Sequence, residues 1–78
     1  MSKKQKLLER ARLNPQGLNF SEFESLLSLC GWSFKRQTGS HRFWYSPQKY
    51  RLSIQPRKDG KAKSYQVKQF LEQYEREN

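Results

Sequence analysis

The chain contains one cysteine, one histidine, three prolines, four glycines and only seven acidic residues. Each scarcity removes a class of explanation. A lone Cys30 forms no internal disulfide and heads no cysteine-ligated zinc site. It follows Leu27 and Leu29 on an expected helix, where it reads as a small buried apolar residue. No stretch approaches the ~20 apolar residues of a membrane span. The opening MSKKQKLLERARL is too charged for the apolar region of a signal peptide. The expectation is a cytoplasmic, reducing setting and no membrane partner. One histidine and scattered carboxylates make no two-metal constellation, so neither a metal nor a small-molecule cofactor is expected. With 78 residues there is room for one small domain with a thin core, burying only about 60% of the surface its unfolded chain exposes.

What is abundant is positive charge. Sixteen Lys and Arg against seven Asp and Glu give a formal net charge of +9. Residues 35–68 hold ten of those cations (Lys35, Arg36, Arg42, Lys49, Arg51, Arg57, Lys58, Lys61, Lys63 and Lys68) and one acid, Asp59. This half therefore carries the whole net charge. Such clustering is the electrostatic footprint of a polyanion binder.

The pattern of apolar residues sets out the elements. Residues 1–17 read as an N-terminal helical arm and linker. Leu7, Leu8 and Ala11, with Leu13 as a candidate fourth member, form a weak apolar stripe, and NPQG at 14–17 breaks the helix. Residues 18–78 read as a single domain. Its first helix is expected from about Phe20 to Leu29, with Phe20, Phe23, Leu26, Leu27 and Cys30 on one apolar face. Asn19 or Ser21 can cap it, and SEFE fits a capping box in which Glu24 answers Ser21. Gly31 is the stop. The period then changes to two. WSFKRQ reads as a half-buried strand, TG at 38–39 as a tight turn, SHRFWYS as a second strand and YRLSIQP as a third. Pro56, which cannot donate to a ladder, fits a strand end. RKDGKAK is a basic loop. The last helix starts near Ser64, a plausible cap, and buries Val67, Phe70, Leu71 and Tyr74.

The order predicts an α+β fold: an α-β-β-β-α sandwich, with a three-stranded antiparallel meander and two helices on one sheet face. The other face is left to solvent.

This element order on a basic chain resembles the double-stranded-RNA-binding fold. The local sequence is similar to a narrower group. GW at 31–32, Arg36, GSH at 39–41 and an aromatic at Trp44 resemble the HicA family of bacterial toxins. Pro56 at the close of the third strand, followed by a glycine-containing loop and a last helix, fits the same family. The resemblance covers about residues 19–74. It implies an endoribonuclease that cleaves mRNA, a catalytic histidine at His41, and neutralisation by a HicB-like antitoxin. Many members carry a further histidine after the strand-closing proline. Here Arg57 and Lys58 follow Pro56, so a mechanism needing a second histidine does not fit.

The chemistry suits that residue. RNA cleaves itself when its 2′-hydroxyl attacks the adjacent phosphate. The step needs a base, an acid and positive charge on the phosphate. Histidine serves either proton role because its ordinary pKa, ~6.5, is near neutrality. Such a group is typically worth about 10²–10⁴ in rate. Arg36 and Arg42 are candidates for holding the phosphate, and metal-independent cleavage is expected. The other proton role falls to water, Lys or Tyr, and the residues do not choose among them. A histidine beside a turn is also compatible with a merely solvated polar residue.

Pairing parity bears on the neighbours of His41. If Thr38 and Gly39 form a two-residue turn, Arg36 pairs with His41. Trp32, Phe34, Phe43 and Tyr45 then share the helix-covered face, Arg36 and His41 sit at its rim, and Arg42 and Trp44 lie on the open face. A three-residue loop reverses this and places Trp44 inside. Either way at least one aromatic ring is left on the open face, where it could stack a base. Gly39 reads as a turn glycine. Ser40 either bonds a phosphate or caps the turn. Lys58, Lys61 and Lys63, just before a helix N-terminus, form a second candidate RNA contact. The competing reading of the whole chain is a non-catalytic double-stranded-RNA-binding module, which gives GSH no role.

Overall fold

The computed structural model describes residues 2–78. It contains helix α1 (Lys3–Leu13), a 3-10 turn (Pro15–Gly17), helix α2 (Phe20–Leu29), strands β1 (Ser33–Thr38), β2 (His41–Tyr45) and β3 (Arg51–Ile54), and helix α3 (Ser64–Glu77). The strands form an antiparallel meander in the order β1-β2-β3. The expected α-β-β-β-α order is present.

Helix α1 docks through the apolar stripe read from its sequence. Leu7, Leu8 and Ala11 are buried in the same core as the rest of the chain, whereas Leu13 stays in solvent. Arg10 adds a bidentate ion pair to Glu22 of α2, with Nη1 at 2.5 Å from Oε2.

Helix α2 starts two residues earlier than a Ser21 cap requires. Asn19 is the cap, and the Glu22 carboxylate accepts the Asn19 N–H at 3.0 Å. The Ser21–Glu24 box is not formed, because Glu24 is turned towards β2. The helix ends as Gly31 implies. Gly31, at φ +85°, allows the Trp32 N–H to reach the Leu27 carbonyl at 3.0 Å, while its own N–H reaches that of Ser28 at 3.1 Å. These two bonds satisfy carbonyls the helix leaves free and swing Trp32 back into the core.

Phe23, Leu26 and Leu27 of α2, Val67 and Phe70 of α3, Trp44 of β2, and Leu52 and Ile54 of β3 are buried together. Phe70 is the aromatic centre, edge-on to Trp32 at 5.2 Å and to Phe23 at 5.9 Å between ring centroids. For α3, Lys63 rather than Ser64 is the residue before the first turn, so Ser64 is already helical.

Two expectations about β1 fail. All six of its residues are exposed, so it is not half-buried. The register also slips, with Phe34 facing Trp44 and Arg36 facing Phe43, leaving Lys35 as an extra, unpaired residue. This is a β-bulge. The loop after it is Gly39–Ser40 rather than Thr38–Gly39, because Thr38 pairs with His41. Gly39, at φ +60°, occupies the first loop position. That is the position a tight type II′ hairpin turn reserves for glycine and a β-branched Thr fills badly.

Candidate functional site

The one-residue shift of the turn decides which side chains meet. His41, Phe43 and Tyr45 alternate along β2 onto the sheet's open face. Their partners are carried there with them: Phe43 pairs with Arg36 and Ser53, and Tyr45 with Arg51. Arg42 and Trp44 go to the helix-covered face. This corrects the arrangement expected from a Thr38–Gly39 turn, which put Phe43 and Tyr45 inside and Arg42 and Trp44 outside. It agrees with the other parity, in which Trp44 is core.

His41 is exposed at the first position of β2. Its Nδ1 lies 3.4 Å from the Ser53 hydroxyl, so its Nε2 is the nitrogen left for solvent or a ligand. Beside it the open face is cationic and aromatic. Arg36 from β1 and Arg51 from β3 both approach the Phe43 ring, at 5.4 and 5.5 Å from its centroid. Lys35 lies 5.9 Å from the Tyr45 centroid. Successive residues of a regular strand point to opposite faces. The bulge lets Lys35 and Arg36 stand on the same one. With Phe43, Tyr45 and Arg51 they line a depression of about 240 Å³.

Arg42 is elsewhere. Its Nε donates to the Glu24 carboxylate, its Nη1 donates to Gln37 Oε1 at 2.7 Å, and its guanidinium lies 4.4 Å from the Phe34 ring centroid. Its charge is neutralised on the far side of the sheet from His41. Gln37 in turn donates through Nε2 to the Gly39 carbonyl at 2.8 Å. A chain of hydrogen bonds therefore runs from α2 to the turn that presents His41.

Gly39 and Ser40 form that turn, and Ser40 is exposed. The basic loop leaves the sheet at the same end, since β3 finishes opposite Arg42. It is pinned at several points. The Phe20 N–H bonds the Gly60 carbonyl at 3.0 Å, the Ala62 N–H bonds that of Leu18 at 2.9 Å, and Asp59 binds both Arg57 and the Lys61 N–H. Lys58 is exposed, and Lys61 and Lys63 are half-buried. Lys61 also acts on Glu22, whose carboxyl is held below the usual range chiefly by Arg10 and the Asn19 N–H. Cys30 is half-buried against the core. Burial raises its thiol pKa, against the pull of Lys4 and Arg12.

The structure puts Arg36 on the same sheet face as His41 but pairs it with Phe43, not with His41 as a Thr38–Gly39 turn implied. It sets Gly39 and Ser40 at the turn, places the lysine loop at the same end and turns Arg42 to the other face. Sequence reasoning missed Lys35, Arg51 and Ser53 as neighbours of the site and left open whether Phe43 and Tyr45 or Trp44 faces this side. Gly-Ser as a two-residue hairpin loop, which fixes the parity of β2, is the signal that places Phe43 and Tyr45.

Among the described residues no group of three or more His, Cys, Asp or Glu is close enough to hold a metal ion. No described helix is long and apolar enough to cross a membrane.

The class defined by these features is a small α+β sandwich of the double-stranded-RNA-binding type, with an open basic sheet face. The family model of the HicA toxin of bacterial toxin–antitoxin systems matches residues 20–75, and the chain belongs to this family. Membership implies an antitoxin partner. No curated protein and no solved structure matches the chain.

Proposed function

We propose that this toxin is an endoribonuclease that cleaves mRNA without a metal, with His41 as its proton-transfer residue, and that a HicB-like antitoxin silences it by covering the open sheet face. The observation that carries the reading is the position of His41, exposed on the same face as Arg36, Arg51 and Ser53.

In this reading the 2′-oxygen of the RNA attacks the adjacent phosphorus. The new P–O2′ bond forms as the P–O5′ bond breaks, giving a 2′,3′-cyclic phosphate and a free 5′-hydroxyl. One proton leaves the 2′-hydroxyl and one reaches the 5′-oxygen. His41 handles one of these transfers through Nε2, and Ser53 at Nδ1 orients the ring. Water, Lys35 or Tyr45 handles the other. Arg36 stabilises charge developing on the phosphate, as preorganised cations do. Ser40, at the turn, is placed to donate to a phosphate oxygen. Lys58, Lys61 and Lys63 hold the RNA backbone further along, without sequence preference and with a strong salt dependence. The open face groups cations with no carboxylate among the described residues, a surface suited to a phosphodiester rather than to a divalent ion.

The test is His41→Ala, assayed on single-stranded RNA in EDTA. Cleavage by the parent chain and its loss in a folded variant are expected. Retained cleavage would overturn the role of His41. Binding or protection of duplex RNA with no cleavage by the parent chain would instead identify a non-catalytic RNA-binding module.

A further inference from the structure

The open face holds more than a histidine and a phosphate ligand. We infer that Lys35, Arg36 and Arg51, gathered round Phe43 and Tyr45, form a backbone subsite for single-stranded RNA next to His41. The inference rests on the ribonuclease reading and names the form of RNA that the site accepts.

Three observations lead to it. The first is charge. Three cations from two different strands converge on one depression whose other lining residues are aromatic. Three like charges sharing a depression repel one another, and a phosphodiester relieves that repulsion. The second is construction. Lys35 and Arg36 are consecutive, and only the slipped register puts both on this face. Arg36 and Arg51 reach Phe43 from the strands on either side of it. A ring between two guanidiniums limits the positions each can take, so less freedom is lost when an anion is bound. The third is the mixture. Cations interleaved with aromatic rings on an open sheet are suited to a strand whose phosphates meet charge and whose bases stack. Duplex RNA keeps its bases paired and is recognised mainly by shape and by its phosphates and 2′-hydroxyls. Phe43 and Tyr45 would gain nothing from it.

Continuity with the catalytic residue fixes the function of the subsite. Phe43 is two residues along β2 from His41, and Ser53 touches His41 while pairing with Phe43. A phosphate held at Lys35 and Arg51 places a neighbouring phosphate of the same strand at His41 and Arg36. The subsite therefore aligns the strand for cleavage.

The experiment uses a His41→Ala chain and a short single-stranded oligoribonucleotide labelled with fluorescein. Affinity is followed by anisotropy across a salt series. On that background, Arg51→Gln and Arg36→Gln should each weaken binding about tenfold. Each should also flatten the log–log salt dependence by about 0.7 for every phosphate that is no longer neutralised. Arg76→Gln removes the same charge from the far end of α3 and should change neither. A duplex of the same sequence should bind more weakly than the single strand. In the chain with His41 intact, Arg51→Gln should raise KM and largely spare kcat. Circular dichroism confirms folding, and Arg51→Lys should restore part of the affinity.

Unchanged affinity and slope in both arginine variants would overturn the subsite, as would equal losses in Arg76→Gln or preference for the duplex. Loss of antitoxin binding alone, with RNA binding intact, would assign the patch to the protein partner and likewise overturn it. The two readings fail separately. Cleavage with unaltered binding in the arginine variants removes only the subsite. Arginine-dependent binding by a chain that never cleaves removes only the nuclease.

Discussion

Glu24 and Arg42 tie helix α2 to strand β2. The Glu24 carboxylate accepts from Arg42 Nε and also from Trp44 Nε1, the latter at 3.2 Å. Arg42 passes the constraint to Gln37, and Gln37 passes it to the Gly39 carbonyl. The expectation for Arg42 is therefore a positioning role for the His41 hairpin rather than contact with RNA. Both side chains are partly shielded, at 29% and 21% exposure. Their hydrogen-bonded pair contributes more than a fully solvated one, and Arg42→Ala should cost about 1–2 kcal/mol. Urea denaturation measures this. RNA affinity and its salt slope should stay close to those of the parent chain, while kcat falls. A flattened salt slope would restore Arg42 to the RNA interface.

Acid should loosen the junction of α1 with α2. The Glu22 carboxyl is held below its ordinary range, first by the hydrogen bonds from Arg10 and then by the Asn19 N–H. A depressed folded-state pKa gives stability that is present above the unfolded value, near ~4.3 for Glu. It is lost as pH falls through the folded value. Thermal unfolding between neutral pH and about pH 3 should show this loss. Glu22→Gln should lower stability at neutral pH and flatten the acid limb. The effect is small, because the pair is open to solvent and screened.

The hairpin turn should be intolerant of branching. A Cβ on Gly39 meets nothing within 4 Å, so a substitution there is opposed by backbone conformation alone. Gly39 sits at φ +60°, and a non-glycine residue in that region costs about 1–2 kcal/mol. Gly39→Val should lower stability by roughly that amount. It should also reduce cleavage more than RNA affinity, because the cost falls on the turn that presents His41. Equal stability of the two proteins in urea would show that the loop lies elsewhere.

Much of the architecture was legible in the chain. The spacing of Phe23, Leu26 and Leu27, and of Val67 and Phe70, marks helix faces that are buried as read, while Phe20, Cys30, Leu71 and Tyr74 flank them half-buried. Leu52 and Ile54 alternate with Arg51 and Ser53 as a one-sided strand should. Gly31 stops α2 where a positive φ is needed. What was not legible depends on single-residue registers. In a strand, one residue exchanges the two faces. Moving the turn from Thr38–Gly39 to Gly39–Ser40 exchanged Phe43 and Tyr45 with Arg42 and Trp44. The Lys35 bulge has no composition signal at all, since it is settled by pairing across the sheet. His41 borders the turn as read, but the Thr38–Gly39 parity set it beside Arg36 at the rim of the helix-covered face, whereas it pairs with Thr38 and lies on the open face. Arg51 and Ser53 join the site through pairing with β2, a relation that local spacing does not carry.

The Lys35 bulge also decides what the sheet will not do. β1 is one of the sheet's two edge strands, and an edge strand offers a row of unpaired amide and carbonyl groups on which another chain can build. The extra residue breaks the regular spacing of that row and increases the local twist. It does so where two adjacent cations already repel a second copy. The β1 edge is therefore a poor template for strand addition by a second chain.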